Sequence, residues 1–347
     1  MTEPATTPAA AEPGAPQLRL PDVSKLIVSS SPHLHDPRDL RRIMLLVMLA
    51  LLPATLSGVF FFGWRALWVI GWCIGAAIAV EAGCNKLFRR PLSIGDGSAA
   101  LTGLLLGLNL SASTPWWVCA IGAALAIGIA KQLYGGLGYN PFNPALVGRV
   151  GLLIAFPAIL TTWVKTAPGQ FLADAVTTAT PLGQWKLGTL PLDQVSYGDF
   201  FLGNLPGCLG ETSKAALLLG GLLLIALKLI RWQVPAAYLG TVALITGIAH
   251  AASPAKFASL EFHLLTGGLF LGAFFMATDM VTSPFTRLGG ILFGAGCGVI
   301  TCIIRLWCNY PEGVSFSILI MNALVPFIDR LCTTGTVFGA RKAEAFA

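Results

Sequence analysis

Charge is what this chain lacks most. Asp, Glu, Lys and Arg make up only 11% of its 347 residues, where a soluble domain carries about a quarter, so water cannot be the main solvent of the fold. Hydrophobic residues reach 55% and mean hydropathy is +0.75. Together these exclude a disordered chain, a secreted disulfide scaffold and a cytosolic enzyme of ordinary build. Histidine is scarce, with four in all. His33 and His35 precede the first apolar run, His250 and His263 fall in outer regions, and neither pair has i, i+4 spacing, so solvated roles and no metal site are expected. The eight cysteines form no CxxC pair and no zinc spacing. Cys297, Cys302 and Cys308 fall on different faces of one helix, which suits packing better than an iron–sulfur cluster. A basic patch is missing too. The net charge is +6, but the basic residues stand at the ends of apolar runs, which argues against nucleic acid. Residues 1–17 have no apolar core and read as a disordered tail, not a signal peptide.

What is present is a series of apolar runs long enough to suggest membrane helices, each needing about 20 residues. Ten candidates read as roughly 43–63, 66–86, 97–111, 116–134, 143–160, 213–231, 234–251, 262–280, 289–307 and 313–330. With the N-terminus inside and the spans alternating, 16 of the 22 Lys and Arg fall inside. The six outside are Arg65, Lys165, Lys186, Lys214, Lys256 and Arg305. The positive-inside rule therefore supports this orientation, and it leaves the longest polar stretch, about 161–212, outside. Trp64, Trp68, Trp72, Trp116, Trp117 and Trp163 cluster near span ends, as an interfacial belt would.

The chain also partly repeats itself. LTGLLLGLNLSASTP (101–115) matches LTGGLFLGAFFMATDMVTSP (265–284), and each is followed by a Gly-rich span and an Asn/Pro loop, Tyr139-Asn140-Pro141 and Asn309-Tyr310-Pro311. Five spans per half would place the halves in opposite orientation, an architecture of transporters and channels. The expected fold is thus an all-α polytopic membrane protein of about ten helices in two inverted five-helix repeats. Its parts are a cytoplasmic tail (1–27), the first repeat (28–160), an outer loop (161–212), the second repeat (213–330) and a second cytoplasmic tail (331–347).

Within this frame Gly135–Pro144 cannot be a regular helix, since three glycines and two prolines interrupt it. Broken backbone at membrane depth persists only where protein covers it or it lines a cavity. It reads either as a ligand or ion site or as a simple turn, with Asn143 before Pro144 placed to cap the fifth helix. Glu81, Asp279, Glu312 and Asp329 fall in or near apolar spans, where a central charge costs about 2.5–3.5 kcal/mol. Asp279, Glu312 and Asp329 read as interfacial acids or as an ion path; Glu81 reads as an ion-path residue or as the partner of nearby Lys86. The outer segment DAVTTATPL (174–182) reads on composition alone as a polar turn.

Six segments together resemble one known family: SSSPHLHDPRDLRRIM (29–44), KQLYGGLGYNPFNPALVGRV (131–150), DAVTTATPLGQW (174–185), GNLPGCLGETS (203–213), GAFFMATDMVTSP (272–284) and NYPEGVSFSILIMNALVPFIDR (309–330). The chain is similar to the D-type membrane component of the Rnf complex, an ion-pumping ferredoxin:NAD oxidoreductase, and to the homologous B-type component of the sodium-pumping NADH:quinone reductase. The short connection between the first two spans and the ATPL ending favour the former. The resemblance implies a fold like that of urea and ammonium channels and FMN held by a phosphoester to a threonine in a pattern like D-x-x-[ST]-G-A-T. Carried over, Asp174 opens the motif, Thr177, Thr178 and Ala179 follow, and Thr180 bears the flavin. Thr178 stands where the pattern has glycine. A periplasmic flavin transferase would attach the FMN. The resemblance further implies a non-covalent riboflavin in some members, which would sit near Lys131, Asn140 and Asn143. Electrons from ferredoxin would reach NAD through the partner components of the Rnf complex (A, B, C, E and G), with sodium or proton movement engaging Glu81, Asp279 and Asp329. A multi-pass location in a bacterial cytoplasmic membrane follows. The repeat alone would equally suit a channel or transporter for a small polar solute, or a structural scaffold.

Overall fold

In the computed structural model the described residues are 39–333, apart from 92, 173–175, 191–195, 255, 309 and 311. The backbone is almost wholly helical. The first helices are α1 (Leu40–Phe62), α2 (Trp64–Leu87), α3 (Ser98–Leu108), α4 (Trp116–Gln132, π-wound from Ala124), α5 (Pro144–Ala155) and the short α6 (Pro157–Leu160). The connecting stretch holds a two-stranded antiparallel ribbon, β1 (Trp163–Val164) with β2 (Thr177–Thr178), and the short helices α7 (Pro181–Lys186) and α8 (Tyr197–Leu202). Then come α9 (Lys214–Ala226), α10 (Gln233–Ala252), α11 (Leu260–Leu265), α12 (Leu269–Leu271, continued by a π turn over Gly272–Met276), α13 (Arg287–Trp307) and α14 (Val314–Thr333).

Five described helices, α1, α2, α10, α13 and α14, are long and apolar enough to cross a membrane. Each of the ten expected runs has a helical counterpart, but several are shorter than expected. At 1.5 Å per residue the eleven residues of α3 measure about 16 Å, roughly half a hydrocarbon core. The fifth run stops at Phe156 because Pro157 cannot continue it. The eighth is split between α11 and α12 by Thr266-Gly267-Gly268, with Gly267 at φ +68°.

Helix faces follow the residue pattern. Along α13 the buried set Gly290, Phe293, Gly294, Cys297, Thr301, Cys302 and Arg305 forms one stripe at three-to-four-residue spacing. On α2 the buried side runs Ala66, Val69, Ile70, Cys73, Ala77 and Glu81. The opposite side exposes Trp64, Trp68 and Trp72 as an edge-to-face stack with centroids 6.2 and 5.7 Å apart. Glycines let helices meet at backbone distance: a Cβ on Gly220 of α9 would lie 2.0 Å from the Ala50 carbonyl of α1. The neighbour pattern recurs along the chain. α2 packs on α3 and α4 as α10 packs on the α12 π turn and α13; α4 meets α5 as α13 meets α14; and α1 meets α9 as α5 meets α14.

Candidate functional site

Two polar centres lie inside this apolar framework. The first is built on the π-wound end of α4. The extra residue per turn carries both Lys131 and Gln132 into the interior, 1% and 2% exposed. Lys131 Nζ donates to Glu81 Oε1 at 2.9 Å and to Ser98 Oγ at 2.6 Å; Gln132 Nε2 and Ser93 Oγ donate to the same carboxylate oxygen at 3.1 and 2.7 Å. Glu81 is fully buried, and its Oε2 has no hydrogen-bond partner. The partner of Glu81 is therefore Lys131, fifty residues away, and not the neighbouring Lys86.

Lys131 also lines a cavity of about 670 Å³ together with Ser98, Asn140, Asn143, Phe275 and Asp279. Its walls are mostly apolar with a few convergent polar groups, and its size is that of a cofactor site. Asn143 builds one wall. Its side chain caps α5 by accepting from Ala145 N and Leu146 N at 3.1 and 3.4 Å, while its Nδ2 donates to the Met276 carbonyl at 3.2 Å. It thereby ties the broken segment before α5 to the π turn after α12. Asn140 stays within its own loop, accepting from Gly138 N and donating to the Phe142 carbonyl. Asp279 accepts from Thr282 Oγ1 at 3.0 Å. Asp329, on α14, accepts from Phe285 N and takes no part in the lining of this cavity.

The second centre surrounds Thr180. This residue is the N-cap of α7, its Oγ1 accepting from Gly183 N at 3.1 Å, and it is 8% exposed. Upstream, Thr177 and Thr178 pair with Val164 and Trp163, and the Ala179 carbonyl accepts from Gln184 Nε2. Thr178 lies in β2 and is not among the described residues of positive φ, so this conformation asks nothing of it that only glycine supplies. Asp174 lies outside the described residues. Downstream, Lys186 Nζ donates to the carbonyls of Ile304, Cys308 and Tyr310 and so fastens α7 to the end of α13. Partial burial holds the Lys186 ammonium below its ordinary range. Trp185 packs edge-on against His263, with centroids 5.2 Å apart. His263 is itself fully buried, contrary to its expected place in solvent; the split of the eighth run turns α11 inward beneath α7.

Thr180 shares a narrow crevice with Gly207, Glu211, Gly267 and Glu312. Arg149 of α5 reaches this crevice from the other half of the chain. Its guanidinium pairs with Glu312 and donates to Cys208 Sγ at 2.9 Å. Cys208, Glu211 and Glu312 bring their ligand atoms within 4.8 Å of one another. Arg149 occupies both Cys208 and Glu312, however, and Lys214 donates to the Glu211 carbonyl, so positive charge already fills the place a cation would take. Burial and the neighbouring Glu211 charge raise the Glu312 carboxyl from 4.5 to about 7 against the pull of Arg149. Glu312 is thus held in a charge cluster, where the sequence left open an interfacial acid. Arg149, Cys208, Glu211, Lys186 and Arg305 escaped the sequence reading. The one usable signal was period: Arg305 follows Cys297 and Thr301 at steps of four, on the buried face of α13.

The class defined by these features is a multi-pass membrane protein with a buried ion pair in its spanning region and a charged crevice beside its longest connecting segment. The chain belongs to the NQR2, RnfD, RnfE family, whose model matches residues 27–338. It is 46% identical over 319 residues to the D component of an ion-translocating oxidoreductase complex of Stutzerimonas stutzeri, covering 84% of this chain and 90% of that protein. It is also 46% identical to the D component of a proton-translocating ferredoxin:NAD(+) oxidoreductase complex of Clostridium ljungdahlii, covering 91% and 96%. A Na(+)-translocating counterpart of Acetobacterium woodii is 43% identical with the same coverage.

Proposed function

We propose that this chain is the D-type membrane component of a redox-driven ion translocase that moves electrons between ferredoxin and NAD, with FMN esterified to Thr180. The observation that carries this reading is the seat of Thr180. Its hydroxyl caps a helix fastened to the rest of the fold by Lys186 and Trp185, beside a buried charge cluster of Glu211 and Glu312 with Arg149 and Lys214. A solute channel needs no such seat. Attachment by a flavin transferase exchanges the phosphoanhydride of FAD for a bond from Thr180 Oγ to phosphorus, releasing AMP and the hydroxyl proton. FMN so attached would supply one- and two-electron redox chemistry. The chain's own residues would hold it: Thr180 at the start of α7 would bear the ester, and α7 is fastened by Lys186 and by Trp185 against His263.

The cavity at Lys131, Asn140 and Asn143 is our assignment for a second, non-covalent flavin, supported by its size and apolar walls. The buried Glu81–Lys131 pair beside it is the best-placed group for coupling to ion movement; Asp279 borders the same cavity, and Asp329 stands apart. The recurring neighbour pattern of helices supports two inverted halves of five, with α3 and α12 as half-helices. The distribution of Lys and Arg supports termini in the cytoplasm and the Thr180 loop outside a bacterial cytoplasmic membrane. The other Rnf components (A, B, C, E and G) are the partners this reading requires.

Peptide mapping by mass spectrometry of the chain matured in its own complex tests the reading. A peptide containing Thr180 heavier by one FMN, and lost in Thr180→Ala, is expected. A bare Thr180 peptide from active complex overturns it.

A further inference from the structure

The end of the bundle at which α1 begins gathers cations from three helices. A Cβ on Gly58 of α1 would meet the carbonyl of Leu209, and one on Gly220 of α9 would meet that of Ala50, so α1 and α9 run antiparallel. About two turns further along α9, Lys228 comes level with Arg41 and Arg42 of α1. α2, nearly as long as α1, returns from the hairpin at Gly63 and brings Lys86, Arg89 and Arg90 to the same level. All six side chains are exposed. Among the described residues none of them forms an ion pair. Arg90 is engaged otherwise, its Nη1 donating to the Gln132 carbonyl at 3.1 Å. The carboxylate of Asp96, next to the Gly97 that meets Met44 at this end, already accepts from the amide and hydroxyl of Ser98.

Two of the six stand where backbone geometry disfavours them. Arg89 and Lys228 have φ of +54° and +55°, and among the described residues they are the two outside glycine with positive φ. Each follows a helix end. Arg90 N donates to the Asn85 carbonyl and Leu229 N to the Leu224 carbonyl, at 2.8 and 3.0 Å. That bond closes a turn whose left-handed position is usually glycine, because a Cβ there crowds the next carbonyl. Glycine would thus be the easier residue at both places. Attraction to the helix dipole does not explain the choice on α2, where Lys86 already supplies a cation in the last turn. The neighbouring apolar side chains are bare as well: Leu87, Leu227 and Trp232 are 76%, 40% and 60% exposed. An acidic protein face would pair the cations and leave these side chains uncovered, whereas a phospholipid offers both a charge and a hydrocarbon.

We infer that the adjoining ends of α1, α2 and α9 form a headgroup site for anionic phospholipid, with Arg89 and Lys228 as its outer donors and Arg41 and Arg42 between them. A phospholipid phosphodiester carries one negative charge, which guanidinium and ammonium donors share through charge-assisted hydrogen bonds. The acyl chains lie against Leu87 and Leu227. Occupancy fastens α2 and α9 to the start of α1, so the complex is more stable in an anionic bilayer than in a neutral one. The site is separate from Thr180 and from the bound flavins proposed above.

The test uses the whole complex, purified in neutral detergent, stripped of lipid and then mixed with phosphatidylglycerol or phosphatidylcholine. The readouts are the midpoint of thermal unfolding and the phospholipid retained. Phosphatidylglycerol should be retained and should raise the wild-type midpoint by a few degrees, and phosphatidylcholine should do neither. Arg89→Gly/Lys228→Gly should begin from a lipid-free midpoint at or above that of wild type, since glycine accepts these φ values, and should lose most of the rise. An equal rise with phosphatidylcholine or with free glycerol phosphate, or a full rise in the double variant, overturns the inference. A lower lipid-free midpoint in the variant also overturns it, because the two side chains then support the fold itself. Loss of another component from the variant complex does the same, by assigning the face to a protein. If the double variant is not recovered from membranes, Arg41→Gln/Arg42→Gln serves: the same loss of the rise is expected, and a full rise refutes the site.

Discussion

Replacing one member of the Glu81–Lys131 pair should harm the protein more than replacing both. Each side chain is at most 2% exposed, and Glu81 Oε1 already takes donors from Lys131, Gln132 and Ser93. Lys131→Met leaves a buried carboxylate with two neutral donors, and Glu81→Gln leaves an ammonium with Ser98 and an amide oxygen. Removing one partner of a buried pair costs about 3–5 kcal/mol, whereas neutral replacement of both is often tolerated. In the double variant the glutamine oxygen still accepts from Ser93 and Gln132, and no charge remains, so it should recover about 2 kcal/mol or more over the sum of the single changes. Thermal unfolding of the purified complex in detergent measures this, with Lys86→Met as the control. Strictly additive losses, or a Lys86→Met loss equal to that of Lys131→Met, would refute the pairing as the reason for the burial of Glu81.

Three further outcomes follow from the same structure. Because burial raises Glu312 to about 7, its contribution is complete below pH 4.5 and is lost as pH rises through 7; Glu312→Gln should flatten the fall in thermal midpoint over that window, and an unchanged profile argues against it. Gly220→Ala places a Cβ against the Ala50 carbonyl and should cost at least about 1–3 kcal/mol by forcing α1 from α9, read as a lower unfolding midpoint than Gly240→Ala, where the space is open. Thr180→Ala should remove the covalent flavin and, through the lost cap, about 1 kcal/mol of local stability; unchanged gel fluorescence would place the flavin elsewhere.

Much of the architecture was legible because a bilayer imposes long apolar runs, and α1, α2, α10, α13 and α14 each fill one. The half-helices were less so. A sequence window registers the apolar character of 97–111 or 262–280, but where backbone stops being helical depends on what covers the freed carbonyls. At the end of α3 the Leu108 and Leu110 carbonyls are taken by the amides of Gly210 and Leu209, a hundred residues away. The Asn143 cap was readable from Asn-Pro chemistry alone, since that interaction is local.

The sequence by itself determined that this chain lives in a membrane and roughly where its helices lie. Hydropathy, helix breakers and short motifs are properties of neighbouring residues. Tertiary structure alone decided that Glu81 pairs with Lys131, that Arg149 crosses to Glu312, and that Arg305 meets the carbonyls that end α11. Those are meetings between distant helices. In a low-dielectric interior, it is the charge standing opposite that determines what a buried charge does.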